Sequence, residues 1–215
     1  MLEVFRDFEI RGDPSKLTTF LSQLVKALPR TWKRDVNREK ELRDLSGSGR
    51  HFALKVGADG DRPNVFLFLY REGHTLKVTN VVPVEYGELS RQQYNSVIED
   101  LSQIAVPIAD KLSLEAIATT GQLDIREILS PRAFQALRGF SAGANKTTGS
   151  SHPMDRRRWI SFLILQHTEA RRLDPDILIR WLIEEDGWPE TEAHDLGSEF
   201  EFARELLSSY DHDRA

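Results

Sequence analysis

The chain of 215 residues is 40% hydrophobic and 29% charged, ordinary globular usage that excludes wholesale disorder. It contains no cysteine, which removes disulfides, thiolate catalysis, iron–sulfur clusters and Cys-ligated zinc together. The net charge is −5, and residues 173–215 concentrate it, with thirteen acids against three arginines.

The longest apolar run, Val65–Tyr70, is far shorter than the ~20 residues a membrane span needs. Met1 to Arg11 mixes charged and apolar residues and lacks the apolar core of a secretory signal. A cytoplasmic protein, of bacterial type, is the expectation.

Leu2, Val4, Phe8 and Ile10 share one parity and predict a half-buried strand, with a bulge near Phe5-Arg6. Asp13-Pro14 is a helix start, so Arg11-Gly12-Asp13 is read as strand end and cap rather than as an adhesion tripeptide. Leu17, Phe20, Leu21, Leu24, Val25 and Leu28 mark the buried face of that helix, and Pro29 stops it. Thr31–Gly49 is dense in charge and ends in Ser-Gly-Ser-Gly, which reads as a mobile excursion. Phe52, Leu54 and Val56 resume a strand, and Val65–Arg71 with Thr75–Val82 form a hairpin about Glu72-Gly73. Ser90 and Gln93 form a capping box before a helix whose face runs from Tyr94 to Ile108, kinked at Pro107. A strand at Leu114–Ala118 closes the layer.

After Gly121 the pattern is helical. Ser130-Pro131 opens a short helix through Leu137 that Gly139 ends, and Ser141–Ser151 is a polar loop. Pro153 opens a helix whose centre, Trp159 to Leu165, is apolar on nearly all sides and is expected to be buried. Asp174-Pro175 starts the next helix, which Gly187 and Pro189 stop. Leu196, Phe200, Ala203, Leu207 and Tyr210 form the stripe of the last one. The fold class is therefore α+β. A mostly antiparallel sheet with two helices, in the order β-α-β-β-β-α-β, spans residues 1–120, and a helical region, 121–215, packs on it and shares its core.

Two clusters compete as functional sites. The loop before Pro153 brings Lys146, Thr147, Ser151 and His152 to a helix start, with Arg156, Arg157 and Arg158 just inside. Backbone amides and cations at such a start can hold an anion, against the alternative of a solvated connector. It is not a Walker A loop, since Asn145 and Phe140 stand where that motif needs glycine. The second cluster is Glu184, Glu185, Asp186, Trp188 and Glu192. An exposed indole beside acids is how an anchor for a basic partner looks; a tryptophan that staples two helices is the alternative.

No catalytic constellation emerges. His152, His167 and His194 lie on different segments without metal-ligand spacing, so neither a metal nor any other cofactor is expected. The basic residues of Trp32–Asp44 alternate with Asp35, Glu39, Glu41 and Asp44, and the pI of about 5.7 agrees that nucleic acid is not an expected partner. The leading expectation is a non-enzymatic module that binds a basic protein through its acidic C-terminal helices. An immunity- or antitoxin-like role would suit such a chain. The second reading is an enzyme or sensor for a phosphorylated or nucleotide ligand at residues 141–158.

Overall fold

The computed structural model describes residues 1–46, 50–169 and 173–213. The elements run β1 (Leu2–Glu3), β2 (Phe8–Arg11), α1 (Pro14–Ala27), β3 (Trp32–Arg34), α2 (Val36–Ser46), β4 (His51–Val56), β5 (Val65–Glu72), β6 (Thr75–Pro83) and α3 (Arg91–Lys111). They continue through β7 (Glu115–Ala118), β8 (Gln122–Leu123), a 3₁₀ turn (Ile125–Glu127), α4 (Pro131–Gly143), α5 (Pro153–Thr168), α6 (Pro175–Glu184) and α7 (Glu190–His212). The fold is α+β, with antiparallel sheets and a helical C-terminal region. Two compact units divide the chain: Glu3–Gln122, and Met1–Leu2 with Leu123–Ala215.

In the first unit six strands form one antiparallel sheet in the order β3-β4-β5-β6-β2-β7. Leu17, Phe20 and Leu24 of α1 join Val97, Ile98, Leu101 and Ala105 of α3 over its inner face, where Val65, Leu67, Leu76 and Ile10 are fully buried. Both helices begin as the sequence predicts. Asp13 accepts the Ser15 amide at 2.8 Å, and Ser90 and Gln93 exchange both capping-box bonds. Gly12 stands where the chain leaves β2 with φ near +155°, and a Cβ there would lie 2.2 Å from Leu114 Cδ2.

The charged segment after Thr31 is not an excursion but β3 and α2. Asp35 caps α2 by accepting the Arg38 amide at 2.9 Å. The buried Glu39 carboxylate takes two bonds from Arg34, each 2.8 Å, and one from the Ala53 amide. A bidentate charged pair that also completes a strand's bonding supplies the order that apolar periodicity would otherwise supply. The expected Ser-Gly break falls on residues 47–49, outside the described residues.

The N-terminal strand is also divided. Leu2 in β1 and Phe8 in β2 are separated by an irregular stretch, and Leu2 belongs to the core of the helical unit. β1 pairs with β8 as a separate two-stranded ribbon. Each unit has its own buried cluster.

In the helical unit α4 and α5 pack as an antiparallel hairpin, and α7 lies against α5 and α6. Phe140, Trp159, Phe162, Trp188 and Phe200 make an unbroken run of ring contacts through its centre. Gly139 does not end α4, which continues to Gly143. A glycine inside a helix costs about 1 kcal/mol, and the full burial of Phe140 one residue later outweighs it. The expectation that α5 is buried all round fails: Ile160 and Ile164 are 44% and 51% exposed, because neighbours cover only the side of Trp159, Phe162 and Gln166.

Gly197 sets the approach of α7 to α6. A Cβ on it would lie 2.4 Å from Ile179 Cδ1. Gly197→Leu is expected to cost about 1–3 kcal/mol by overpacking, read as a lower midpoint of chemical unfolding.

Candidate functional site

The two sequence clusters meet in the helical unit, and they meet as structure. Gly187 takes a left-handed conformation, φ +67°, and the Trp188 amide reaches back to the Leu182 carbonyl at 2.9 Å. A glycine-ended helix of this kind turns the following residue inward. Trp188 is accordingly 3% exposed, stacks on Phe140 at 5.5 Å between centroids, and donates its indole N–H to Ser141 Oγ. It is not an exposed anchor, and the reading as a staple between segments is the correct one.

Asp186 follows it inward. Its side chain is 14% exposed, accepts from Ser141 Oγ, and pairs with Arg138 at 3.2 Å. Lys146 closes the group. Its ammonium donates to the Asp186 carbonyl, stands 4.0 Å from the carboxylate, and lies 5.9 Å from the centre of the Trp188 ring. So the lysine expected to hold an anion fastens the 144–152 loop to the end of α6.

The remaining candidates of that loop face the wrong charge for an anion. Thr147 and Ser151 line a cleft of about 340 Å³ whose other wall carries Glu192, Asp195 and Glu199 of α7. Buried Ser150 donates to Glu199 at 2.9 Å. His152 is the N-cap of α5, accepting the Met154 amide on Nδ1 at 3.3 Å. Buried Asp155 in the first turn already places a carboxylate at the positive end of the helix, and it holds Arg158 at 2.8 Å. Arg156 and Arg157 stay exposed. These residues do not converge on a phosphate. Adding inorganic phosphate is therefore expected to leave the melting temperature unchanged in a thermal-shift titration.

The rest of the acidic cluster is outward. Glu184 pairs with Arg180 one turn earlier at 2.8 Å, Glu185 with the Met1 amine, and Glu192 stands half-buried on the cleft wall. The side chains that the sequence reading missed lie on α7. Phe202, Leu206 and Tyr210 follow one another at four-residue spacing and are 67%, 55% and 52% exposed. Tyr210, expected in the stripe of the last helix, lies outside its buried part. Glu199, Glu201 and Glu205 are exposed on the same helix. The available signal was that α7 carries two apolar rows, at Leu196–Phe200 and Phe202–Leu206, which cannot both face one core.

At the start of the same unit the Asp124 carboxyl is held down to about 2, first by hydrogen bonds from the Arg126 side chain and then by the Arg126 amide. A depressed carboxylate stabilises the fold above its unfolded value near 3.8 and stops doing so as pH falls through about 2. In an NMR pH titration Arg126→Ala is expected to return Asp124 toward the ordinary value.

Among the described residues, no group of histidine and carboxylate side chains could hold a metal, and no helix is long and apolar enough to cross a membrane. Residues 130–206, from the Ser130 cap of α4 into the second half of α7, match the family model described as Domain of unknown function (DUF1889). No curated protein and no solved structure matches the chain.

Proposed function

We propose that this protein is a non-enzymatic interaction module that binds a basic protein partner through the outer face of its last helix. The observation that carries the reading is the exposed row Phe202, Leu206, Tyr210, set among Glu199, Glu201 and Glu205. Contiguous exposed apolar side chains mark interaction surfaces, and flanking carboxylates select a cationic partner. The partner's contact segment carries lysines or arginines around an apolar ridge of its own. Glu184, Glu185 and Glu192 extend the negative field that steers it in.

The test compares capture from the source cell by the wild type, by Phe202→Ala/Leu206→Ala, and by Glu192→Lys/Glu201→Lys/Glu205→Lys. The apolar pair should speed dissociation of the captured protein, by about 30-fold if Phe202 is a hot spot. The charge reversal should slow association and flatten its dependence on salt. All substituted side chains are half-buried or exposed, so the fold should persist. An acidic captured partner, or equal recovery by all three proteins, overturns the reading.

A further inference from the structure

The outer face of the six-stranded sheet departs from the rule for a solvated face. Along β5 the inward residues Val65, Leu67 and Leu69 are at most 2% exposed, while the alternate positions Phe66, Phe68 and Tyr70 are half-buried. A sheet face turned to water ordinarily carries polar side chains at such positions. Here it carries three aromatic rings in a row.

Basic side chains surround the row. The register places Lys55 opposite Phe66, and Lys33 opposite Lys55. It places His51 and Lys77 on either side of Tyr70, with the His51 ring 4.9 Å from the tyrosine. From α2 the Arg38 guanidinium lies 5.5 Å from the Phe66 centroid. The face also holds Glu9, opposite Lys77 and paired with Arg11, Glu115, opposite Arg11, and Glu72, which pairs with Lys77 at 3.3 Å. Arg38 itself pairs with Glu41 at 2.6 Å. Lys33 and Lys55 are exposed at the β3–β4 edge of the face.

We infer that this face binds single-stranded nucleic acid, with one base stacked on each of two or three rings and the phosphates running past Lys33, Lys55 and Arg38. Phe66 and Phe68 are nearly parallel, 27° between planes, with centroids 6.1 Å apart. That separation exceeds the about 3.4 Å repeat of a stacked duplex strand, so it suits splayed bases rather than a helix. Aromatic rings on an open sheet with cations at the margin accept any base, since every base has a π-face. Asn80, opposite Phe68 and exposed, is the polar group placed to meet a base edge. The charges of residues 1–110 balance, sixteen of each sign, so local placement rather than net charge carries the affinity. The expectation against nucleic acid rests on the mixed charge of Trp32–Asp44 and on the pI of about 5.7, and neither shows which charges one sheet face gathers. The sheet brings Lys33 and Arg38 from that segment to the rings, which lie about thirty residues further along the chain.

Fluorescence anisotropy of the full chain with a labelled oligothymidylate of about 15 nucleotides tests this, alongside the same strand in a duplex. The single strand should bind at least about tenfold more tightly than the duplex at about 50 mM salt. Phe68→Ala should weaken binding about tenfold or more. Lys33→Glu/Lys55→Glu, at exposed positions that leave the packing intact, should weaken it and lower the salt slope by about 1.4. Glu201→Lys/Glu205→Lys on α7 should not reduce it, which separates this result from the fate of the protein-partner reading. No binding, equal binding of duplex, or affinity untouched by both sheet variants overturns the inference. So does light scattering that shows a dimer split by Phe68→Ala, since a second copy would then occupy the face.

Discussion

Replacing Trp188 by alanine is expected to destabilise the helical unit by about 3–5 kcal/mol. The indole is 3% exposed, lies against Phe140, and donates to a serine that is itself buried. Truncation removes that apolar contact, opens a cavity beside Phe140, and takes from Ser141 Oγ the N–H that it accepts. Melting followed by near-ultraviolet circular dichroism should show the loss as a transition lowered by on the order of 10 °C or more. Trp188→Phe keeps a ring in place and loses the N–H, so it should cost about 1–2 kcal/mol. The two variants separate packing from hydrogen bonding. A stable Trp188→Ala protein that has lost a partner would restore the indole as a contact residue and reject its role as a staple.

The site was legible in its parts and illegible in its connections. Lys146 and Asp186 were each singled out, forty residues apart, for opposite roles, and they are bonded to each other. Residue spacing shows which side chains share a helix face, and it is silent on pairs that tertiary packing brings together. Gly187 was legible as a helix stop. That the stop turns Trp188 into the core depends on the Trp188–Leu182 backbone bond, which leaves no trace in composition. Phe202 and Leu206 carried a usable signal in their four-residue spacing. The stripe through Phe200 masked it.

In the fold, caps were the most legible feature. Asp13, Ser90, Ser130 and Asp174 all cap as their sequences predict, because a cap is made within three residues. The alternation of β5 was equally plain. α2 was hidden because a charged helix with Glu39 buried against Arg34 has no apolar periodicity to read. The end of α4 was misplaced for the opposite reason. Gly139 is a valid stop by propensity, and the burial of Phe140 and Ser141 just after it outweighs that preference.

Leu2→Ala is expected to cost about 2–5 kcal/mol, although Leu2 is the second residue of the chain. Parity with Phe8 and Ile10 assigns it to the sheet, yet it is fully buried in the cluster of Ile125, Leu137 and Trp181. The irregular stretch between β1 and β2 is what permits the change of allegiance, since it frees Leu2 from the alternation of the β2 strand. The two assignments predict different patterns of hydrogen exchange. If Leu2 serves the helical cluster, Leu2→Ala should lower amide protection first in α4 and α6, with β5 and β6 retaining theirs at the same denaturant concentration. Leu76→Ala, in the core of the sheet unit, should show the reverse order. Equal loss across β5, β6, α4 and α6 in both variants would mean that the two clusters unfold as one cooperative body, and early loss in β2 from Leu2→Ala would return Leu2 to the sheet.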